Sequence, residues 1–268
     1  DVWKSTESRL AAIVMSVAVG SSIGSMSPKP AAASSSVLTK TYLFLHNLIS
    51  FVAWSYVLVL TFTNLTDPSS FYARVRYAVV FAQFLAIFEV LQSVFGLVSS
   101  PAMTVCVQVG SRWLVLYGVV EQVQSVQTNW CVAMLCVAWS CAEVPRYLYY
   151  AVNSFGSVPY PLLWLRYSGF LILYPMGFVA ETLCIYNSLG FFFKTQQWSI
   201  AMPNVWNFEF SWARLLQLII ALYVPGSPFM FLHMCRQRVK YLSGRTRTPL
   251  PSSKMMERKS SFKSKKAD

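Results

Sequence analysis

Two stretches of this sequence place phenol and carboxylate groups at spacings that bring them to one face of a helix. Tyr167, Tyr174 and Glu181 are seven residues apart, and seven residues turn an α-helix by about 700° with about 10.5 Å of rise. A second stripe has offsets of four, four and three residues and consists of Trp139, Glu143, Tyr147 and Tyr150. A phenol and a carboxylate held near each other can act as a general acid and a general base.

The stretches that carry these residues are strongly apolar. Of the 268 residues, 55% are hydrophobic and 12% are charged, whereas a soluble domain carries about 25% charged residues. This composition argues against a soluble globular domain and excludes a disordered or a collagen-like chain. A bilayer core about 30 Å thick needs about 20 helical residues. Six stretches are long enough: Tyr42–Phe62, Val75–Val98, Met103–Val123, Trp130–Val152, Leu162–Leu189 and Ala213–Met234.

The six apolar stretches predict the fold class. Backbone polar groups in lipid must be satisfied within the protein, which leaves helices or closed barrels. The stretches are too long and continuous for barrel strands, so we expect an all-α fold, an integral membrane bundle of six transmembrane helices. It divides into a flexible lead-in over 1–40, a membrane domain over 41–235 and a basic tail over 236–268. Because the sequence begins at Asp1 and not at Met, we expect a fragment or a processed N-terminus.

The positive charge of the chain is concentrated at its C-terminal end. The net charge is +12, and residues 236–268 contain eleven Lys or Arg against two acidic residues, hence nine of the twelve charges. A basic tail on an apolar body is typical of a cytosolic terminus of a membrane protein and gives no indication of nucleic-acid binding. Six spans put both termini on that side, so the glycosylation sequon Asn64-Leu65-Thr66 falls in a lumenal loop.

Seven charged residues fall inside the predicted spans or at their ends, where a charge at mid-bilayer costs about 2.5–3.5 kcal/mol. They must face inward, pair with one another or lie near the interface. Two interpretations stay open: salt bridges that join helices, or a polar pocket within the bundle, which the set as a whole favours. The seven are Glu89, Glu121, Glu143, Glu181, Arg112, Arg146 and Arg166.

The spacing indicates an intramembrane polar site with acid–base capacity but leaves its reaction open. Pro175 follows Tyr174 directly and lacks a backbone donor, so it bends the helix and can bring Tyr174 closer to Glu181. We predict no metal site, because the six cysteines form no Cys-x-x-Cys pair and the chain has two histidines. On these grounds alone a proton-coupled transporter also stays open.

Several short strings follow one another along residues 42–240. They are Gly96-Leu97-Val98, Gln108 with Ser111-Arg112, Trp139-Ser140-x-x-Glu143-x-x-Arg146-Tyr147, Leu165-Arg166-Tyr167, Leu173-Tyr174-Pro175-x-Gly177-x-x-x-Glu181, Met202-Pro203-Asn204 with Asn207-Phe208, and Tyr223-Val224-Pro225-Gly226-Ser227-Pro228. In this order they resemble the very-long-chain 3-hydroxyacyl-CoA dehydratase family, also called the protein-tyrosine-phosphatase-like or PASTICCINO type. The last string and the Met-Pro-Asn segment look most like the plant and algal members.

The resemblance implies an enzyme of fatty-acid elongation in the endoplasmic reticulum. It would remove water from a long-chain or very-long-chain (3R)-3-hydroxyacyl-CoA to give the trans-2-enoyl-CoA, without a cofactor. The family's catalytic pair falls on Tyr174 and Glu181, the pair already singled out by spacing. Candidates for orienting the pair or the substrate are Glu143, Arg146, Tyr147, Arg166 and Tyr167.

The chemistry of dehydration suits a phenol and a carboxylate. A proton must leave C2 and another must reach the departing C3 hydroxyl, so the reaction needs a base and an acid. Our hypothesis is that Glu181 is the base and Tyr174 the acid. The reverse assignment stays open, because a protein environment can shift either group toward the other role.

The resemblance also implies a location and partners. The acyl chain would lie inside the bundle, with the CoA at the cytosolic face near Arg236, Arg238 and Lys240, whose alternative role is attraction to lipid headgroups. The C-terminal Lys265-Lys266 resembles a dilysine retrieval signal of the endoplasmic reticulum. Expected partners are membrane lipid and the other elongase enzymes, namely ketoacyl-CoA synthase, ketoacyl-CoA reductase and enoyl-CoA reductase.

Some residues depart from the family pattern and bear on pocket shape and chain-length preference: His46, Gln92 and Pro145. We expect His46 to be a helix-packing residue. The alternative function is a catalytically inactive scaffold or interaction protein on the same membrane fold. Phosphatase activity is not expected, because Cys106 and Arg112 have the Cys-x5-Arg spacing but lie in an apolar span without a Gly-rich phosphate loop.

Overall fold

The computed structural model describes residues 37–242 apart from 99, 157, 204 and 206. This part of the chain is helical, and a 3₁₀ turn over Val120–Gln122 joins the third and fourth helices. An isolated antiparallel bridge pairs Ile200 with Phe210. The α-helices are α1 Val37–Thr63, α2 Pro68–Val94, α3 Ala102–Gly118, α4 Gln124–Gln127, α5 Trp130–Asn153, α6 Tyr160–Ser168, α7 Phe170–Thr195 and α8 Trp212–Leu242.

Four of the sequence expectations lie wholly or largely outside the described residues. They are the lead-in before Val37, Asn204 of the Met-Pro-Asn string, the basic tail after Leu242, and the Lys265-Lys266 signal within that tail. These stay predictions.

Six helical segments of the described chain are long and apolar enough to cross a membrane: Val37–Thr63, Pro68–Val94, Ala102–Gln122, Trp130–Asn153, Tyr160–Thr195 and Trp212–Val239. The prediction of an all-α bundle with six spans is confirmed. The first span begins at Val37, a few residues before the predicted start. The fifth combines α6 and α7, which meet at Gly169, and α8 carries the first residues of the basic tail to Leu242.

Side-chain caps explain where α2 and α5 begin. The Asp67 carboxylate accepts a hydrogen bond from the Ser70 backbone N–H at 3.4 Å, and Asn129 accepts one from the Cys131 N–H at 3.0 Å. Each satisfies one of the unpaired donors of a first helical turn. The hydroxyls of Ser69 and Ser70 also donate to Asp67, and these hydrogen bonds lower the pKa of its carboxyl to about 2.

Prolines interrupt the helices that line the site. Pro145 lies inside α5, Pro175 inside α7, and Pro225 and Pro228 inside α8. Each proline lacks the N–H that an interior helix position would donate. The prolines fall beside residues that the sequence singled out, since Pro175 directly follows Tyr174 and Pro145 directly precedes Arg146. The bend at Tyr174 stays a prediction.

Helix α5 lies at the centre of the bundle and α8 at its edge. In the 18-residue apolar stretch of α5, 56% of the residues are buried, whereas in the corresponding stretch of α8 only 6% are buried. Helices α1, α2, α6 and α7 pack against α5, while α8 packs against α6 and α7. Because α8 lies at the edge and is apolar on nearly every side, it presents most of its surface to lipid.

The bundle has two ends, which we call the terminal face and the loop face. At the terminal face, where α1 begins and α8 ends, the Tyr167 ring stacks on Tyr241 with centroids 4.6 Å apart. At the loop face, the Trp212 indole donates to the Gly118 carbonyl at 3.2 Å. A Cβ at Gly118 would lie 2.7 Å from that indole, so this contact requires glycine.

Candidate active site

Glu181 of α7 accepts hydrogen bonds from two other helices. The indole Nε1 of Trp139 on α5 donates to its Oε1 at 3.1 Å, and the Tyr223 hydroxyl on α8 donates to its Oε2 at 3.0 Å. Both donors are neutral, and Trp139 is only 4% exposed. The carboxylate is therefore held in one orientation without the help of a cation.

Tyr174 lies on the same side of α7 and is also held by α8. Its hydroxyl donates to the Ser227 carbonyl at 3.2 Å, and its ring lies 6.1 Å from that of Phe231. Tyr223 and Ser227 are one turn apart on α8, so consecutive turns of that helix meet the two predicted catalytic residues. The structure thus directs Tyr174 and Glu181 toward α8 and gives each its own partner on that helix.

Four charged residues form a ladder across three other helices, which we call the ion-pair ladder. Arg112 of α3 pairs with Glu143 of α5, which also accepts from the Arg146 Nε at 2.5 Å. Arg146 then binds Glu89 of α2 through both terminal nitrogens, at 2.8 and 2.9 Å. Tyr147 donates to Glu89 as well. Two positive and two negative charges therefore cancel in the bundle interior.

The ion-pair ladder contacts Trp139, the aromatic residue that binds Glu181. The Arg112 guanidinium lies 5.9 Å from the centre of the Trp139 ring, a cation–π distance. Trp139 is the residue whose N–H binds Glu181. Glu143, Arg146 and Tyr147 are the candidates for orienting the pair or the substrate, and they bind one another or Glu89. Arg112 and Trp139 link them to Glu181. Their orienting role stays a prediction.

Arg166 and Tyr167 lie in a separate cluster at the terminal face. The Arg166 guanidinium is 4.5 Å from the ring centres of both Tyr149 and Tyr150, and it donates to the Tyr150 hydroxyl at 2.8 Å. The sequence predicted these two residues as candidates for orienting the pair or the substrate. The structure surrounds Arg166 with tyrosines, about 12 Å of helix rise before Tyr174, and the orienting role stays a prediction.

The remaining charge in the spans, Glu121, is paired near the loop face. It accepts from the Tyr72 hydroxyl at 2.5 Å and forms an ion pair with Arg76 at 2.6 Å. Five of the seven span charges are therefore in ion pairs, as the salt-bridge interpretation expects. Among the described residues, Glu181 and Arg166 are the two of this set without an ion-pair partner, as the pocket interpretation expects.

Comparison with known proteins identifies the family. Residues 83–244 match the model of the protein tyrosine phosphatase-like protein family, PTPLA. This chain belongs to the PTPLA family. The matched region contains the ion-pair ladder, Tyr174, Glu181 and the α8 residues that hold them. The family resemblance read from the sequence is confirmed.

Relatives that this chain resembles carry dehydratase names. The very-long-chain (3R)-3-hydroxyacyl-CoA dehydratase PASTICCINO 2B of Oryza sativa subsp. japonica is 37% identical over 211 residues, covering 78% of this chain and 96% of the relative. PASTICCINO 2 of Arabidopsis thaliana gives the same values. Dehydratase 2 of Homo sapiens is 33% identical over 209 residues, covering 77% of this chain and 82% of the relative. No solved structure matches the chain.

Several residues of this PTPLA-family site were not in the predicted set. Tyr223 and Ser227 were recognised only as part of a string, because nothing in α8 alone indicates which side faces α7. Trp139 was placed on the α5 stripe without a role. Glu89 and Arg112 were recognised as costly charges, but their partners lie on other helices and could not be read from spacing.

The histidines, cysteines and acids of the described chain do not gather into a metal site. No group of three or more of these residues lies close enough to hold an ion within the part of the chain that the structure describes. His46 uses its Nε2 to bind the Leu85 carbonyl at 3.2 Å, which joins α1 to α2. This contact agrees with the expected packing role of His46.

Proposed function

We propose that this protein dehydrates long-chain or very-long-chain (3R)-3-hydroxyacyl-CoA to the trans-2-enoyl-CoA, with Tyr174 and Glu181 as its acid–base pair. One observation carries the proposal. Glu181 is a span carboxylate bound by neutral donors, whereas Glu89, Glu121 and Glu143 are paired with arginines. The dehydratase names of the relatives supply the reaction.

The contacts of Glu181 suit a general base. A carboxylate in an ion pair is held in its charged form by the neighbouring cation and is therefore a weaker base. Trp139 and Tyr223 fix the orientation of Glu181 without adding a positive charge. Glu181 therefore accepts the C2 proton, which the thioester carbonyl acidifies.

Tyr174 then acts as the general acid. Its hydroxyl, bound to the Ser227 carbonyl in the structure, turns to the C3 hydroxyl of the substrate and donates its proton as the C3–O bond breaks. The C2–H bond electrons form the C2=C3 double bond, and water leaves. Glu181 is then protonated and Tyr174 is a phenolate, so transfer of a proton from Glu181 to Tyr174 restores both groups.

The substrate is amphipathic, and so is the proposed path to the site. The acyl chain lies among the apolar helices, while the phosphates of CoA stay in water at the terminal face. The basic residues from Arg236 onward support a cytosolic position for this face by the positive-inside rule. We therefore propose an endoplasmic reticulum enzyme with both termini in the cytosol.

The elongation cycle supplies the proposed partners. A 3-hydroxyacyl-CoA arises by reduction of a 3-ketoacyl-CoA, and the enoyl product is reduced in turn. A ketoacyl-CoA synthase, a ketoacyl-CoA reductase and an enoyl-CoA reductase are therefore the enzymes expected to act beside this one.

Turnover by the purified protein in lipid nanodiscs tests the proposal. We expect (3R)-3-hydroxyacyl-CoA to yield the enoyl thioester by mass spectrometry, and Tyr174→Phe and Glu181→Gln each to lower kcat by about 10²- to 10⁴-fold. Tyr186→Phe is a matched control on the same helix, because Tyr186 is 65% exposed. Near-normal turnover in both site variants contradicts the catalytic pair, and an inactive wild type favours the scaffold function.

A further inference from the structure

Three helix ends form a cluster of tyrosines and arginines at the terminal face, which we call the tyrosine–arginine cluster. Tyr149 and Tyr150 come from the end of α5, Arg166 and Tyr167 from α6, and Arg238 and Tyr241 from the end of α8. Ring contacts join the three helices: Tyr149 meets Tyr167 at 6.4 Å, and Tyr167 stacks on Tyr241 at 4.6 Å. The proposed mechanism does not use this cluster.

The guanidinium of Arg166 is fixed but only partly satisfied. Three rings surround it, with centres at 4.5 Å for Tyr149, 4.5 Å for Tyr150 and 5.5 Å for Tyr167. One terminal nitrogen donates to the Tyr150 hydroxyl, whereas the buried Nε has no hydrogen-bond partner within the described chain. A buried N–H without a partner is costly, so the contacts within the described chain leave the hydrogen-bonding capacity of this side chain incompletely used.

Arg238 adds a second positive charge to the tyrosine–arginine cluster. Its Nε donates to the Ser168 hydroxyl at 3.1 Å, and Ser168 is two residues from Arg166 on α6. The ion pairs among the described residues include neither Arg166 nor Arg238 and use Arg74, Arg76, Arg112, Arg146 and Arg214. Two arginines without carboxylate partners among the described residues therefore belong to this cluster at the terminal face.

We infer that the tyrosine–arginine cluster binds the phosphates of the CoA moiety, with Arg166 and Arg238 as the ligands. Guanidinium groups bind phosphate oxygens through paired N–H donors, and the tyrosine rings hold Arg166 in a fixed orientation. The inference rests on the proposed function, because that function supplies a phosphorylated substrate.

The position of the cluster fits the shape of an acyl-CoA. Arg166 precedes Tyr174 by eight residues, about 12 Å of helix rise. The flexible pantetheine arm would cover this distance, so phosphates at the cluster and a thioester beside Tyr174 and Glu181 belong to one bound molecule. The nucleotide then binds at the water-facing end and the acyl chain continues into the apolar bundle.

A comparison of two substrates tests the cluster. The same 3-hydroxyacyl group is supplied as its CoA thioester and as its pantetheine thioester, which lacks the nucleotide and its phosphates. We expect Arg166→Gln and Arg238→Gln each to lower the ratio of kcat/KM for the CoA substrate to that for the pantetheine substrate by about tenfold. The loss should appear mainly in the KM for the CoA substrate.

The matched control is Arg214→Gln, an exposed arginine at the loop face that pairs with Glu209. Its substrate ratio should equal that of the wild type. An unchanged ratio in Arg166→Gln and Arg238→Gln overturns the inference. An equal loss with both substrates also overturns it, since that result indicates a structural role.

Direct binding separates this inference from the proposed function. Titration calorimetry with CoA itself requires no turnover, and we expect Arg166→Gln to weaken CoA binding by about tenfold relative to the wild type. If Arg166→Gln weakens CoA binding as expected but the protein dehydrates neither substrate, the proposed function is wrong and the role of the cluster in CoA binding is supported. Equal CoA affinity in wild type and variant, or no CoA binding by either, contradicts the inference that the cluster binds the CoA phosphates.

Discussion

The Tyr223 hydroxyl of α8 donates a hydrogen bond to the Glu181 carboxylate of α7 at 3.0 Å. The other carboxylate oxygen accepts from the Trp139 indole of α5. The orientation of Glu181 therefore depends on three helices that are far apart in sequence. Since a base must meet its proton along a narrow range of directions, both donors are expected to affect kcat.

Tyr223→Phe should lower kcat by about 10-fold or more while the KM for the acyl-CoA changes little, because the hydroxyl orients the base and leaves substrate binding to other groups. Steady-state kinetics on the purified protein separates the two constants. In a Glu181→Gln background the same substitution should add almost no further loss, because the carboxylate that it positions is already absent. A full, independent loss in that background contradicts the positioning role.

Glu143→Gln should destabilise the protein strongly, because it leaves Arg112 and Arg146 without their shared buried carboxylate. Loss of one partner of a buried ion pair typically costs about 3–5 kcal/mol. The matched control is Glu209→Gln, whose ion pair with Arg214 is long and exposed, at 3.5 Å with side chains 58% and 72% exposed. Its effect should stay below about 1 kcal/mol. Thermal unfolding in one detergent compares the two, and equal Tm values contradict the structural importance of the ladder.

Much of the fold could be predicted from the sequence, because span length and hydropathy are local properties. The common face of Tyr174 and Glu181 followed from a spacing of seven on one helix. Their partners Tyr223 and Ser227 did not, since α8 is apolar on nearly every side and no periodic pattern indicates which side meets α7. The catalytic role of the pair stays a prediction.

The partners within the ion-pair ladder could not be predicted from the sequence either. The sequence indicated that charges such as Glu89 and Arg112 need partners in a membrane, but their partners lie on separate helices. Arg166 is predicted as a candidate for orienting the pair or the substrate, and helix rise puts it about 12 Å before Tyr174, at the terminal face. Spacing predicts a face of a helix, whereas depth and helix pairing depend on the assembled bundle.

Asp67 predicts a pH effect on stability outside the spans. Its pKa is lowered to about 2 by the Ser69 and Ser70 hydroxyls, against about 3.9 in an unfolded chain. The stabilisation is therefore complete above about pH 5 and is lost as the pH falls toward 2. Asp67→Asn keeps a capping side chain without a titratable group, so its Tm should fall less than that of the wild type over this range. Parallel pH profiles for the two proteins contradict the prediction.

Gly118→Ala should lower the Tm, because its new Cβ would lie 2.7 Å from the Trp212 ring. Overpacking of this kind costs about 1–3 kcal/mol. Gly110→Ala is the matched control on the same helix, since a Cβ there meets nothing within 4 Å. It should be neutral or stabilising by up to about 1 kcal/mol, because alanine favours helix. A common Tm shift in both variants excludes the Trp212 contact as the cause.

Trp139 has two separable contacts, and two substitutions distinguish them. Trp139→Phe keeps an aromatic ring under the Arg112 guanidinium, 5.9 Å away in the native protein, but removes the N–H that binds Glu181. We expect about a 10-fold or greater loss in kcat with a modest change in Tm. Trp139→Leu also removes the ring, so its Tm should fall further, by a cation–π contribution of about 0.5–2 kcal/mol together with the lost packing. If Trp139→Phe keeps full kcat, the indole N–H does not position the base, and Tyr223 alone orients Glu181.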